Sequence, residues 1–456
     1  MGMKTLRFRG VLCCIMASAL LFTGLVCGGG LSTLAAVESV NGSDSLVRTS
    51  LTEIKNVLTS ISYTDYLAMY ESSGRPDETV DIDIFGNING DETNITYQVV
   101  DGAEYGKDGK VLLIGDDGKI SFNINIKTAG FYNILVEYYT GNISVYDADG
   151  NLATVGKNAS IERMVMIDGK VPFKEARSIS FSRAWADSYP ELDGDYKVVK
   201  TDGNKTYYDS TSTKFFESVA NGDRIFQRDN NGNEMKPEKT IVGIWYTKRL
   251  FDSSGYSNAP LMFHFENGEH VISLNTVREP FAVKSIKLVP IAETISYEEY
   301  LAEHKNAKDY SGDDIIIQAE YPSLASDRTL YQLNDRTSVI SQPQDSALIR
   351  LNSIGGDKWT YVGQWIEYTF EAPEDGFYYV VPRSIQNVTS GKYVSRKIYI
   401  NGEVPFTEAN YTRFDFSDTW KTDALNDGTT EFKFFLNKGI NTIRLEVALG
   451  DLAGLL

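Results

Sequence analysis

The sequence predicts an all-β protein made of two tandem sandwiches, each entered by a short helix. Three observations carry this. First, apolar and polar residues alternate with period two in short runs. Ile366, Tyr368 and Phe370 fall on one face of such a run and Trp365, Glu367, Thr369 and Glu371 on the other, the pattern of a half-buried strand. Second, turn residues recur between the runs, and aromatic residues reach 12% with 27 Tyr and 22 Phe, which suits rings packed on pleated surfaces. Third, the chain repeats itself. "ISYTDYLAMY" begins at Ile61 and "ISYEEYLAEH" at Ile295, 234 positions later. "RMVMIDGKVPFKEA" begins at Arg163 and "RKIYINGEVPFTEA" at Arg396, 233 later, and Trp185 precedes Trp420 by 235. Three anchors at one offset mark a duplicated unit.

Taken in order, residues 1–36 read as an export signal. Lys4, Arg7 and Arg9 form a positive start, Val11 to Leu25 is almost wholly apolar, and Thr33-Leu34-Ala35 offers small residues for signal peptidase. An uncleaved anchor is the alternative, since the apolar run reaches spanning length if Gly28 to Gly30 are included. Residues 37–74 form a helical lead-in, and 75–294 the first sandwich. Compared with the second copy, the first carries 64 extra residues between Trp185 and Gly268. This insert, near 186–260, is rich in Asp, Asn, Gly and Tyr and predicts a long hairpin or loop excursion. Residues 295–310 form a linker helix, and 311–456 the second sandwich. "DG" at 168 and "NG" at 401 predict tight hairpins. The first copy closes with "AVKSIKLVPI" and the second only with "DLAGLL", so the second is expected to lack its last strand and the chain to be a fragment.

Composition excludes several chemistries. All three cysteines (Cys13, Cys14, Cys27) fall inside the signal, which removes disulfides and thiol catalysis from the mature chain. The histidines His264, His270 and His304 have no metal-ligand spacing. A net charge of −18 repels phosphate backbones, so nucleic acid is excluded as a partner. No G-x-S-x-G, P-loop or dinucleotide fingerprint occurs, and no carboxylate pair stands out, so no enzymatic activity is expected.

"IIIQAEYPS" (315–323), "YVGQWIEYTFEAPEDGFYYVVPRS" (361–384), "IYINGEVPF" (398–406) and "LNKGINTIRLEV" (436–447) occur in an order that resembles carbohydrate-binding modules of families 6 and 35. The resemblance covers nearly all of the second copy and, more faintly, the first. It implies jelly-roll, galactose-binding-like sandwiches that bind glycans without cleaving them. Tandem modules of this kind also resemble the N-terminal part of large Gram-positive extracellular solute-binding proteins. That likeness implies a secreted or surface-held monomer, with a sugar-transport permease as partner if a receptor domain follows. A structural or adhesive surface protein is the alternative, and an accessory region of a glycoside hydrolase a weaker one.

The resemblance also places a site. Sugar rings stack their C–H faces on aromatic planes while hydroxyls need polar partners. In the family one aromatic lies four residues before a glycine; counting back from Gly363 gives Trp359, with Tyr361 beside it. A second aromatic sits in the loop holding "FSDTW", which gives Trp420, with Trp185 its counterpart in the first copy. The family's structural calcium implies Gln318 and Glu320 as ligands, on one face if the segment alternates as a strand. The asparagine and aspartate that the family places in its last strand have no counterpart here.

Overall fold

In the computed structural model, residues 61–188, 198–202, 205–208, 226–388 and 390–455 are described. The expected export signal and the start of the lead-in lie outside them. The fold is all-β and sandwich-like. The two described α-helices are short, α1 (Tyr63–Met69) and α2 (Tyr297–Glu303). Ser62 caps α1 by accepting from the Asp65 amide, and Ser296 forms a reciprocal capping box with Glu299 at α2.

The two helices are built into their repeats by the same bonds. Tyr63 and Tyr66 of α1 accept the amides of Met262 and His264 through their hydroxyls, at 2.9 and 2.7 Å. Tyr297 and Tyr300 of α2 accept those of Lys433 and Phe435, at 2.8 and 2.7 Å. Tyr63 packs on Phe173 at 4.8 Å and Tyr297 on Phe406 at 4.7 Å.

In the first repeat, β1 (Val80–Ile82), β2 (Tyr97–Asp101) and β3 (Lys110–Ile114) precede β4 (Lys119–Ile126) and β5 (Gly130–Tyr139). A small hairpin, β6 (Ser144–Tyr146) and β7 (Leu152–Val155), leads to β8 (Ile161–Ile167) and β9 (Ile179–Phe181). The insert then supplies β10 (Trp185–Ser188), the pair β11 (Val198–Asp202) and β12 (Lys205–Tyr208), β13 (Glu238–Ile241) and β14 (Trp245–Arg249). The repeat closes with β15 (Met262–Phe265), β16 (Gly268–Arg278) and β17 (Phe281–Val289). One sheet runs β14-β5-β17-β3-β2, with β1 on β17 and β15 on β5; the facing sheet runs β4-β16-β8-β9. Phe122, Tyr132, Phe173, Phe263, Phe281 and Leu288 fill the space between them.

The second repeat begins with β18 (Leu324–Ala325), β19 (Gln332–Leu333) and β20 (Ser353–Ile354). β21 (Trp365–Ala372), β22 (Gly376–Tyr379), β23 (Arg383–Ser384) and β24 (Tyr393–Ile400) follow. β25 (Thr412–Asp415), β26 (Lys421–Thr422), β27 (Lys433–Leu436) and β28 (Gly439–Ala448) complete it. β18, β21, β28, β24 and β25 form its main sheet, faced by the pairs β22–β27 and β23–β26. Phe406, Phe432, Phe434, Ile398 and Ile443 lie between. After β28 the described chain makes a 3-10 turn, Gly450–Leu455.

The expected hairpins have the same construction. Asp168 and Gly169 take φ of 50° and 71°, and Asn401 and Gly402 take 51° and 87°, the left-handed pair of a type I′ turn. The Asp168 carboxylate accepts the Val271 amide at 2.9 Å, and the Asn401 side-chain oxygen accepts the Thr442 amide at 2.8 Å.

The insert does more than loop out. Its β14 extends the first repeat's sheet by pairing with β5, while β13 and β10 extend the second repeat's sheet, with Trp185 opposite Ala325. The repeats therefore share strands, and the outward face of β21 is covered. Trp365 is 2% exposed and Glu367 7%, although alternation predicts that both face solvent. Tyr246 of β14 packs edge-on against Trp365 at 6.1 Å, and Arg444 lies 4.0 Å from the Trp365 ring while pairing with Glu367 at 2.7 Å.

Candidate functional site

Trp420 stands half-buried among loops of the second repeat. Its indole N–H donates to the Asp335 carboxylate at 3.0 Å and lies 3.2 Å from the Thr337 hydroxyl. The Arg383 guanidinium is 5.8 Å from its ring. The ring is thus held at a fixed angle by partners on the loop that follows β19, and one polar neighbour of each sign lies beside it.

Trp359 follows β20, which pairs antiparallel with β19, so it leaves the pair at the end opposite to the loop that holds the Trp420 partners. The states of the two tryptophans differ. Trp359 is partly buried against the second core, donates its N–H to the Gln364 carbonyl at 3.2 Å, and has the Arg396 guanidinium over its ring at 4.3 Å. One face of its ring is therefore occupied. Tyr361, two residues on, is 74% exposed.

Trp185 corrects the expectation. It is 6% exposed, within β10 between β13 and β18. A ring closed inside a sheet has no free face for a sugar, so it is a packing residue. The offset of 235 pointed at a loop position; the extra strands of the insert turned that position into sheet.

The metal expectation fares similarly. Residues 315–318 form no strand, and the Tyr321 amide donates to the Gln318 carbonyl at 3.1 Å, closing a turn. Alternation therefore does not aim Gln318 and Glu320 together. Gln318 is half-buried, whereas Glu320 is 2% exposed with Oε1 unpartnered. Burial pushes the Glu320 carboxyl up to about 8, and the Glu234 carboxylate adds to the rise. Among the described residues no group of three or more His, Cys, Asp or Glu side chains could hold a metal ion. Gln318 and Glu320 are thus not aligned by a strand as the shared ligands of an ion.

A cleft of about 430 Å³ lies between the repeats, and sequence reasoning missed it. Its floor is β24 and β28, through Lys397, Tyr399 and Glu446. Lys248 of β14 and the loop from Phe251 to Asn258 form the opposite wall, and Tyr361 to Gln364 the rim. Burial pushes Lys397 down to about 8, with Glu446 opposing and Lys248 adding to the fall. Burial likewise lowers Lys248, with Glu446 again opposing. Neither residue type nor spacing could have announced this, because Lys397 sits on the face of β24 that alternation assigns to solvent.

No family model matches the chain, and no curated protein matches it. Among solved structures, the catalytic domain of a GH87 alpha-1,3-glucanase in complex with nigerose is 11% identical over 51% of this chain and 34% of that one, with a TM-score of 0.24. A Paenibacillus sp. cycloisomaltooligosaccharide glucanotransferase complexed with cycloisomaltoheptaose is 8% identical over 84% and 50%, at 0.22. The ANX2 ectodomain from Arabidopsis thaliana is 8% identical over 82% and 89%, at 0.18. The chain spans about a third of the length of the glucanase domain it matches. Similarity this low carries no argument about function.

Proposed function

We propose that this protein is exported and binds glycans without cleaving them, through the loops of the second repeat that hold Trp420. One observation carries the reading. The Trp420 indole is oriented by Asp335 and Thr337 while part of its surface stays open, with Arg383 alongside. An oriented ring beside polar groups is what a sugar needs: a plane for its C–H face and partners for its hydroxyls. Linkage to a transport receptor, and through it to a permease, belongs to the same proposal.

A glycan array on the secreted protein tests the reading, followed by titration of the best ligand against Trp420→Ala. Loss of ring stacking should weaken binding by about 1–3 kcal/mol, taking ring–base stacking as a guide. An array without a hit would leave a structural or adhesive role. Unchanged affinity in a folded Trp420→Ala protein would remove this ring from the site.

A further inference from the structure

The cleft between the repeats, apart from the Trp420 loops, carries a charge pattern that asks for a ligand. Lys397 is 5% exposed; its ammonium donates to the Asn258 carbonyl at 2.9 Å and lies 4.5 Å from the Phe251 ring. Lys248 donates to the Ser180 carbonyl at 3.1 Å. Neither ammonium has a carboxylate within ion-pair distance among the described residues. Each has three donors, and each uses one on a neutral carbonyl.

The nearby charges do not cancel. Arg444 and Glu367 neutralise each other at 2.7 Å. That leaves Lys248 and Lys397 facing the single carboxylate of Glu446, which accepts from the Tyr399 hydroxyl at 3.4 Å. The acids of the rim are tied to their own loops or to an arginine, although Asp252 and Asp327 keep their charge. Asp252 accepts the amides of Ser254, Tyr256 and Ser257, Asp327 accepts that of Thr329, and Glu162 pairs with Arg278. The two ammoniums together therefore carry one positive charge more than Glu446, the carboxylate that acts on both, balances. A desolvated charge without a partner is costly, and a monovalent anion in the cleft would remove that cost. A phosphate dianion would reverse the imbalance rather than cancel it. The wall beside the lysines also presents Ser180 and Ser182, whose hydroxyls suit an alcohol better than an alkyl chain.

We infer that this cleft binds a small hydroxylated monocarboxylate, its carboxylate between Lys248 and Lys397 and its hydroxyls toward the serine wall. The chain's net charge of −18 does not oppose this, because exposed charges are screened beyond about 8 Å at physiological salt, whereas the two lysines are in contact range.

Isothermal titration of the full chain with glucuronate, gluconate and lactate, against glucose and inorganic phosphate, tests the inference. At least one carboxylate should bind, glucose and phosphate should not compete for it, and the preference among the three identifies a ring acid, an open-chain sugar acid or a simple hydroxy acid. Lys397→Gln and Lys248→Gln should each weaken that carboxylate about tenfold or more, while Trp420→Ala leaves it unchanged. No binding of any carboxylate would overturn the inference, as would stronger binding of phosphate or unaltered affinity in folded variants at both lysines. Glycan binding lost only in Trp420→Ala bears on the loop site and not on this one.

Discussion

Replacing Glu320 by glutamine should make the protein more stable in alkaline solution and change it little in acid. The carboxyl lies in the second repeat with Oε1 unpartnered, near Glu234, which is held by Arg228 at 3.5 Å and Arg350 at 3.6 Å. Burial raises its pKa from 4.5 to about 8. The folded state therefore keeps a proton that the unfolded chain releases. The stability that this proton contributes is complete below pH 4.5, falls as pH rises through the window up to about 8, and is gone above it. At about 1.4 kcal/mol for each tenfold change in proton affinity, the whole window corresponds to roughly 3–5 kcal/mol. The glutamine side chain would be neutral throughout and have no such slope. Urea unfolding of parent and Glu320→Gln at pH 5 and pH 8 measures the difference. Near-equal stability at pH 5 and a gain of roughly 3 kcal/mol or more for the variant at pH 8 is expected. Parallel loss in both proteins would show that Glu320 ionises in a hydrated or paired environment, and the argument from burial would fail. Added calcium provides a further arm: an ion ligated by Glu320 would stabilise the parent at pH 8 and leave the variant unmoved.

Three further outcomes follow from the same structure. Gly169→Ala and Gly402→Ala should each cost about 1 kcal/mol, because both glycines have left-handed φ while nothing lies within 4 Å of an added Cβ; denaturant midpoints check this, and a neutral result at either turn would contradict the hairpin geometry. Arg444→Met should lose about 3–5 kcal/mol by stranding buried Glu367, read by thermal unfolding, whereas the double variant with Glu367→Leu should recover most of it; an equally unstable double variant would show that the Arg444 stack on Trp365, not the charge, matters. Carboxylate binding in the cleft should decline as pH rises through about 8, where Lys397 gives up its proton. Glu446, Lys248, Arg444 and Tyr399 all face this region, so affinity that stays flat from pH 7 to 9 would place the ligand elsewhere.

The parts of the molecule that depend on local pattern were legible in the sequence. The two hairpins follow from Asp-Gly and Asn-Gly, since only residues tolerant of positive φ close a two-residue turn. The helices follow from the repeated stretches that begin at Ile61 and Ile295, and the structure adds their serine caps and turns Tyr63, Tyr66 and Tyr300 inward. Alternation placed Ile366, Tyr368 and Phe370 in the core, where they are buried. What alternation could not state is what covers the other face. It assigned Trp365 and Glu367 to the face away from the core, and both are buried because the first repeat lies on that face. Glu320 was singled out for a role in metal binding, but its depth comes from a turn that the strand pattern did not contain.

Comparison of the repeats explains how the cleft arose. In the second repeat Lys397 of β24 stands opposite Glu446 of β28; at the equivalent register of the first, Met164 of β8 stands opposite Asn275 of β16. Opposite charges across two strands are an ordinary stabilising pair on an outward face. Seen alone, Lys397 and Glu446 are such a pair, and they balance. The third charge, Lys248, lies in β14, inside the stretch that the second repeat lacks. Docking the insert onto this face does two things at once: it takes the pair out of water, and it adds a cation that the pair cannot neutralise. The unbalanced site belongs to neither repeat by itself. It follows that a protein without the insert would keep the Lys397–Glu446 pair as a solvated surface feature, with no depressed ammonium and no carboxylate site.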